Sequence, residues 1–206
     1  KPSSAASDVY KRQILLFPDK NKKAKFSVEA ALDLYAKKGE SIFNVSLWEH
    51  MINPFGLFNE KISQRNLEKQ LLEVFGDLQL QHFIKPCLIT SYDIGQRKAK
   101  FFTSHEAEST LENFYVRDVC RATSAAPTYF EPAKIKSLYG QEFTLIDGGV
   151  YANNPALCAY AEARKIAFSK ILGDKEKIDY PAINDMIIVS VGTGAVSYTH
   201  LTLPTK

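Results

Sequence analysis

The stretch Phe143-Thr144-Leu145-Ile146-Asp147-Gly148-Gly149-Val150-Tyr151-Ala152-Asn153-Asn154-Pro155 constrains the fold more than any other part of the chain. A short apolar run suited to a buried strand ends in an aspartate. Two glycines then permit a tight turn, and Asn154-Pro155 has the chemistry of a helix N-cap and first helical position. The segment predicts a strand, a carboxylate, a corner and a helix in succession. Ligands in α/β sheets bind beyond the carboxyl ends of strands, so a carboxylate placed there is a candidate for chemistry. Taken alone, Asp147-Gly148 also fits a plain supporting turn, because Asp bonds its own backbone and Gly accepts unusual dihedrals.

Two further stretches bear on that choice. Asp118-Val119-Cys120-Arg121-Ala122-Thr123-Ser124-Ala125-Ala126-Pro127-Thr128-Tyr129-Phe130 stands upstream, and Val189-Ser190-Val191-Gly192-Thr193-Gly194 stands downstream. In this order and at these separations the three stretches resemble the patatin-like phospholipase family, over most of residues 26–194. Asp147-Gly148-Gly149 matches that family's Asp-Gly-Gly/Ala motif, whose aspartate partners a serine nucleophile. The resemblance implies an α/β fold in three layers, with a central mostly parallel sheet flanked by helices, here incomplete at both ends. It also implies a lipid acyl hydrolase that acts on acyl esters of membrane or storage lipids through an acyl-enzyme. In that reading Asp147 takes the serine proton directly, without a histidine between them, and then helps water to release the fatty acid. Gly148 and Gly149 leave room for the approach, and Asn153 and Asn154 hold the turn. The family's nucleophile sits in Gly-x-Ser-x-Gly near the start of the domain and its oxyanion loop still earlier. Neither motif occurs in this sequence, so the piece is expected to be inactive alone. No cofactor is implied, and the partner is a lipid substrate, met at a membrane surface.

The two ends need separate treatment. Residues 3–13 back-translate into a sequencing-library transposon adapter, and the reverse complement of that DNA, read in a shifted frame, encodes residues 196–205. Both ends, 1–13 and 195–206, are therefore read as adapter-derived and set aside from fold reasoning, which leaves 14–194 as a partial patatin-like domain. Four of the 26 basic residues and one of the 23 acidic residues lie in those ends, so the interior is balanced at 22 of each. The formal +3 disappears with them, and with it any overall basic field that would argue for nucleic acid. An interior of this length suits one domain or most of one. Without a signal peptide or an apolar run long enough to span a bilayer, the expected compartment is the cytoplasm, with peripheral attachment to a membrane as the variant a lipid substrate implies.

Along the interior, Ser27 caps a helix carrying Val28, Ala31, Leu32, Leu34 and Tyr35, which ends near Lys38-Gly39; a second short helix is placed around 42–48. Residues 51–58 read as a loop of unusual hydrophobicity, either folded onto the core or, through Phe55, Leu57 and Phe58, forming part of a lid or acyl-chain entrance. Residues 63–75 space Leu67, Leu71, Leu72 and Phe75 on one helical face, with Gly76 after them. Residues 86–92 and 99–103 read as a hairpin about the turn Asp93-Ile94-Gly95-Gln96. A helix over 116–126 turns Val116, Val119, Cys120 and Thr123 to one side, and its small residues allow a close approach to a neighbouring backbone. Residues 134–141 form a polar connection. The clearest helix is 155–168, with Leu157, Ala161 and Phe168 available to the core, and 186–191 reads as a central parallel strand.

Other chemistries fit less well. Ser124 lies outside any nucleophile elbow and reads as structural. His50, His82 and His105 stand in no motif and read as ordinary polar or core residues. Cys87, Cys120 and Cys158 lack metal-ligand spacing and read as buried thiols, and no metal site is expected. Gly192-Thr193-Gly194 lacks the Lys-Ser/Thr ending of a phosphate loop. A non-catalytic lipid-binding or interaction domain on the same scaffold is the alternative function. A Ser-Asp-His triad would need a histidine after the aspartate, where only the adapter-encoded His200 stands.

Overall fold

Strand β1 (Leu88–Asp93) and strand β2 (Lys98–Thr103) pair antiparallel from Leu88 opposite Thr103 to Asp93 opposite Lys98. The predicted turn chemistry closes this hairpin. Asp93 is buried, and its Oδ1 accepts hydrogen bonds from the Gly95 and Gln96 backbone N–H groups at 2.8 and 3.0 Å. The structure is a computed structural model and describes residues 13–31, 33, 57–108, 111–127 and 130–190, the side chains of 57–63 excepted.

Strand β4 (Glu142–Asp147) lies beside β1, with Ser91 opposite Asp147 and Asp93 opposite Leu145, and strand β3 (Ala133–Lys136) lies on its other side. The order is β2-β1-β4-β3, and every pairing is antiparallel. The fold is α/β, but the described sheet is not the mostly parallel one expected. Short hairpin-like connections make β1–β2 and β3–β4 antiparallel by necessity, and β1 pairs antiparallel with β4 across a long stretch of chain. β3 corrects the reading of 134–141 as a mere connection. Ala133 and Ile135 face inward while Lys134 and Lys136 face water, a period-2 pattern with lysines guarding an edge.

The core lies on one face of this sheet. Helix α2 (Val116–Thr123) packs on β1, β3 and β4, and helix α1 (Leu57–Phe75) packs on α2. On α1, Leu67, Leu71 and Phe75 recur every four residues and are buried, each worth about 1.5–3 kcal/mol of transfer free energy. Leu72 departs from expectation at 53 % exposure, since it lies roughly 100° around the helix from Leu71. The helix also starts earlier than predicted and takes in Leu57 and Phe58, which the sequence had placed in a loop. The remainder of the supposed lid, Phe55 included, the helix around 42–48 and the Gly192-Thr193-Gly194 turn lie outside the described residues. Gly76 ends α1 in the left-handed region, as a C′ glycine does. Earlier in the chain, Ser27 Oγ accepts from the Ala30 N–H at 3.2 Å in the expected N-cap.

Arg121 ties the helices together. Its Nε donates to Glu68 on α1 at 3.2 Å, and its Nη2 donates to the Glu131 carbonyl at 2.9 Å. Between the sheet and the segment before α2, Phe102 meets Phe114 edge-on at 5.0 Å, and Phe114 meets Phe143 at 5.6 Å. The buried Lys100 runs its stem along these rings, lays its ammonium 4.4 Å from the Phe143 centroid and pairs with Glu112 at 2.7 Å.

Beyond β4 the chain departs further from expectation. The single helix predicted over 155–168 is two shorter ones, α3 (Ala156–Ala163) and α4 (Phe168–Leu172), and neither has a fully buried residue. Leu157 is 75 % exposed, while the buried contact comes from Ile166, in the break between them. Nor do residues 186–190 form a strand: Ile187 is 95 % exposed and Val189 77 %. Their β-propensity is real, but the run pairs with no strand among the described residues, and propensity without a paired neighbour does not make a strand.

Candidate active site

Alternation along β4 decides where its last side chain points. Phe143 and Leu145 face the core, Glu142 faces water, and the same period carries the Asp147 side chain to the core face at the strand's carboxyl end. Asp147 is 8 % exposed. Its Oδ1 accepts from the Gly149 N–H at 2.7 Å, so the carboxylate caps the single 3-10 turn Gly148–Val150 that makes the corner. Among the described residues it forms no ion pair. Burial pushes its carboxyl above the ordinary aspartate range, and the Gly149 N–H partly opposes that rise by favouring the charged form.

The backbone around this carboxylate is fixed from two sides. The Asp147 N–H donates to the Ala125 carbonyl at 3.0 Å, just past the end of α2. Ala122 and Ala125 are fully buried there, which realises the close approach that the run of small residues announced. On the other side Gly148 lies against β1. A Cβ on it would fall 2.3 Å from both the carbonyl oxygen and the Oγ1 of Thr90, far inside contact distance, so the position admits only glycine. A Cβ on Gly149 would come within 3.1 Å of Asp147 Oδ1. Sequence reasoning found Asp147, Gly148 and Gly149 through their local turn pattern. It missed Thr90 and the Ala125 carbonyl, which reach the corner across long stretches of chain and leave no local signal.

The asparagines differ. Asn154 Oδ1 accepts from the Ala156 N–H at 3.0 Å, a side-chain turn just ahead of α3, but the N-cap is Pro155 and not Asn154 as expected; Asn154 Nδ2 lies 3.5 Å from Ser190 Oγ. Asn153 is exposed and shows no side-chain hydrogen bond among the described residues. Ser124 is buried and donates to the Cys120 carbonyl at 2.5 Å, the structural role expected of it. Of the cysteines only Cys120 is buried, and burial pushes its thiol well up; Cys87 and Cys158 are half-buried, against expectation. His82 is exposed and His50 lies outside the described residues. His105 forms an ion-pair contact with Glu162 on α3 at 3.2 Å, and with Glu106 these two form the one group of three such side chains among the described residues close enough to hold a metal ion. Sequence spacing could not reveal it, since two members follow β2 and the third lies on α3.

Comparison with known proteins places this geometry. The profile of the family described as patatin-like phospholipase matches residues 20–160. Patatin-like protein 3 of Arabidopsis thaliana is 35 % identical over 134 residues, covering 61 % of this chain and 31 % of that protein. Patatin-like protein 2 of Oryza sativa subsp. indica is 31 % identical over 196 residues, covering 88 % of this chain and 47 % of that protein. The chain thus spans from about a third to about half of the length of these relatives. With Asp147-Gly148-Gly149 inside the matched region, the chain belongs to the patatin-like phospholipase family.

Proposed function

We propose that this chain carries the aspartate half of a serine–aspartate dyad in a lipid acyl hydrolase, with Asp147 as the base. One observation carries the reading: a carboxylate at the end of an inner strand, nearly buried, held by a single backbone N–H and engaged by no cation among the described residues. A base needs a free lone pair and an affinity for protons above that of an aspartate in water, and desolvation supplies the second. The serine comes from polypeptide not contained in this sequence. As it attacks an ester carbonyl its proton passes to Asp147, which hands it to the departing alcohol; Asp147 then takes a proton from water as water attacks the acyl-enzyme and returns it to the serine oxygen as the fatty acid leaves.

In the whole protein we infer the three-layer arrangement about a mostly parallel sheet, with 186–191 as one of its strands. The substrate is an acyl ester of a membrane or storage lipid, met by peripheral contact at a lipid surface, with the cytoplasm as the compartment. Among the described residues no helix is long and apolar enough to cross a membrane.

The test joins this chain to its natural upstream sequence and assays hydrolysis of acyl esters. Wild type should turn over, with the acid limb of its kcat/KM profile above the ordinary aspartate value of 3.8, while Asp147→Asn should lose at least about a hundredfold in kcat, the lower end of what a general base contributes. Undiminished turnover in Asp147→Asn removes Asp147 from the mechanism. A folded whole protein without turnover, binding lipid vesicles equally well with or without the substitution, would instead favour the non-catalytic lipid-binding reading.

A further inference from the structure

The geometry points to a second site, a divalent transition-metal site formed by His105, Glu106 and Glu162, remote in sequence from the Asp147 corner. One ligand atom from each of the three lies within 4.8 Å of the others. His105 Nε2 and Glu162 Oε1 are 3.2 Å apart, close to the edge of about 3.4 Å that a tetrahedral ion with arms of about 2.1 Å imposes on its ligands. A pair at the 4.8 Å limit must close by up to about 1.4 Å to reach that edge, a movement open to the exposed Glu106 side chain.

A second observation concerns the ring itself. The imidazole is 5 % exposed, and its Nδ1 is buried without any hydrogen-bond partner. No hydrogen placement on the ring suits this pocket as it stands. An imidazolium leaves a dry N–H at Nδ1, and the neutral form with its hydrogen on Nε2 leaves a dry lone pair there. The remaining neutral form turns the Nε2 lone pair against the Glu162 carboxylate. A cation bound at Nε2 replaces that repulsion and draws the two carboxylates together, with Nδ1 keeping its hydrogen. Glu162 is itself only 12 % exposed, and Lys165, 67 % exposed, reaches its other oxygen, Oε2, at 3.0 Å from the solvent side.

The donor set selects the ion. One imidazole nitrogen with two carboxylates suits Zn2+, Mn2+, Co2+ or Fe2+, whereas Ca2+ and Mg2+ prefer an all-oxygen shell. The role follows from placement. His105 and Glu106 lie in the turn after β2, and Glu162 lies near the end of α3, a helix with no fully buried residue of its own. An ion here fastens α3, and with it the far side of the Asp147 corner, to the hairpin.

The test needs no turnover. The chain is stripped with chelator and titrated with Zn2+ against a chromogenic competitor, with melting followed by circular dichroism. A single saturable site and a melting temperature that rises with Zn2+ are expected, with no comparable rise from Ca2+. Glu106→Gln alters an exposed side chain, so it should keep the metal-free melting temperature within about two degrees while weakening Zn2+ by roughly tenfold or more. His105→Asn should weaken it at least as much, whereas Cys158→Ser, which removes a half-buried thiol, should leave it unchanged. The absence of a one-to-one site, the same affinity in Glu106→Gln and wild type, or loss of the site in Cys158→Ser overturns the proposal.

Discussion

Gly148 and Asp147 owe their properties to opposite demands on space. Gly148 has none to spare: a methyl group would meet backbone as well as side-chain atoms of Thr90, and a strand in mid-sheet cannot yield as a flexible side chain would. Gly148→Ala should cost about 2 kcal/mol or more in urea denaturation, at the upper side of ordinary overpacking, and Gly149→Ala, which presses only on the Asp147 carboxylate, should cost less. Asp147 is under the contrary stress of too little solvent. Its folded pKa is raised, so ionisation works against folding, and this handicap is absent below the unfolded pKa and grows as pH rises through the folded one. Asn in its place keeps an oxygen for the Gly149 N–H and removes the charge. Asp147→Asn should therefore equal or exceed wild type in melting temperature at pH 7, with the gap narrowing toward pH 4. A variant less stable at pH 7 would show that the carboxylate is a structural asset and not a strained functional group.

Among the elements, α1 offers the sharpest contrast. Leu71→Ala, at 4 % exposure, should cost about 2–5 kcal/mol, and Leu72→Ala, one position on and half-exposed, less than about 0.5 kcal/mol, both from denaturant midpoints. Adjacent leucines in one apolar cluster look alike in a sequence, and only the neighbour they face separates them. The same distinction explains which elements could be read. The β1–β2 hairpin and the caps at Ser27 and Gly76 were legible because their determinants lie within a few residues of one another. The exposure of Leu157 and the break before Phe168 were not, because an alanine-rich helix has the same local propensity whether or not a core is there to receive it.

For the molecule as a whole, the candidate site was legible as a motif and illegible as a contact set. Asp147-Gly148-Gly149 announced the corner, but Thr90, the Ala125 carbonyl and the antiparallel order of the sheet arise from pairings across the chain that no local pattern encodes. The exposed run 186–190 makes this scale testable. In this chain its amides should exchange with solvent far faster than those of β1, whereas in the whole protein they should gain protection comparable to it. Rapid exchange in both would remove 186–191 from the proposed sheet. The sheet itself carries one more implication. It consists of two locally closed pairs, β1 with β2 and β3 with β4, zipped together along a seam of only three residue pairs between β1 and β4, and Asp147 is at the end of that seam. Nearby pairs close early and distant ones late, so the carboxylate acquires its surroundings only in the last stage of assembly. A partly opened molecule would keep both ribbons while its proton-accepting corner had already come apart.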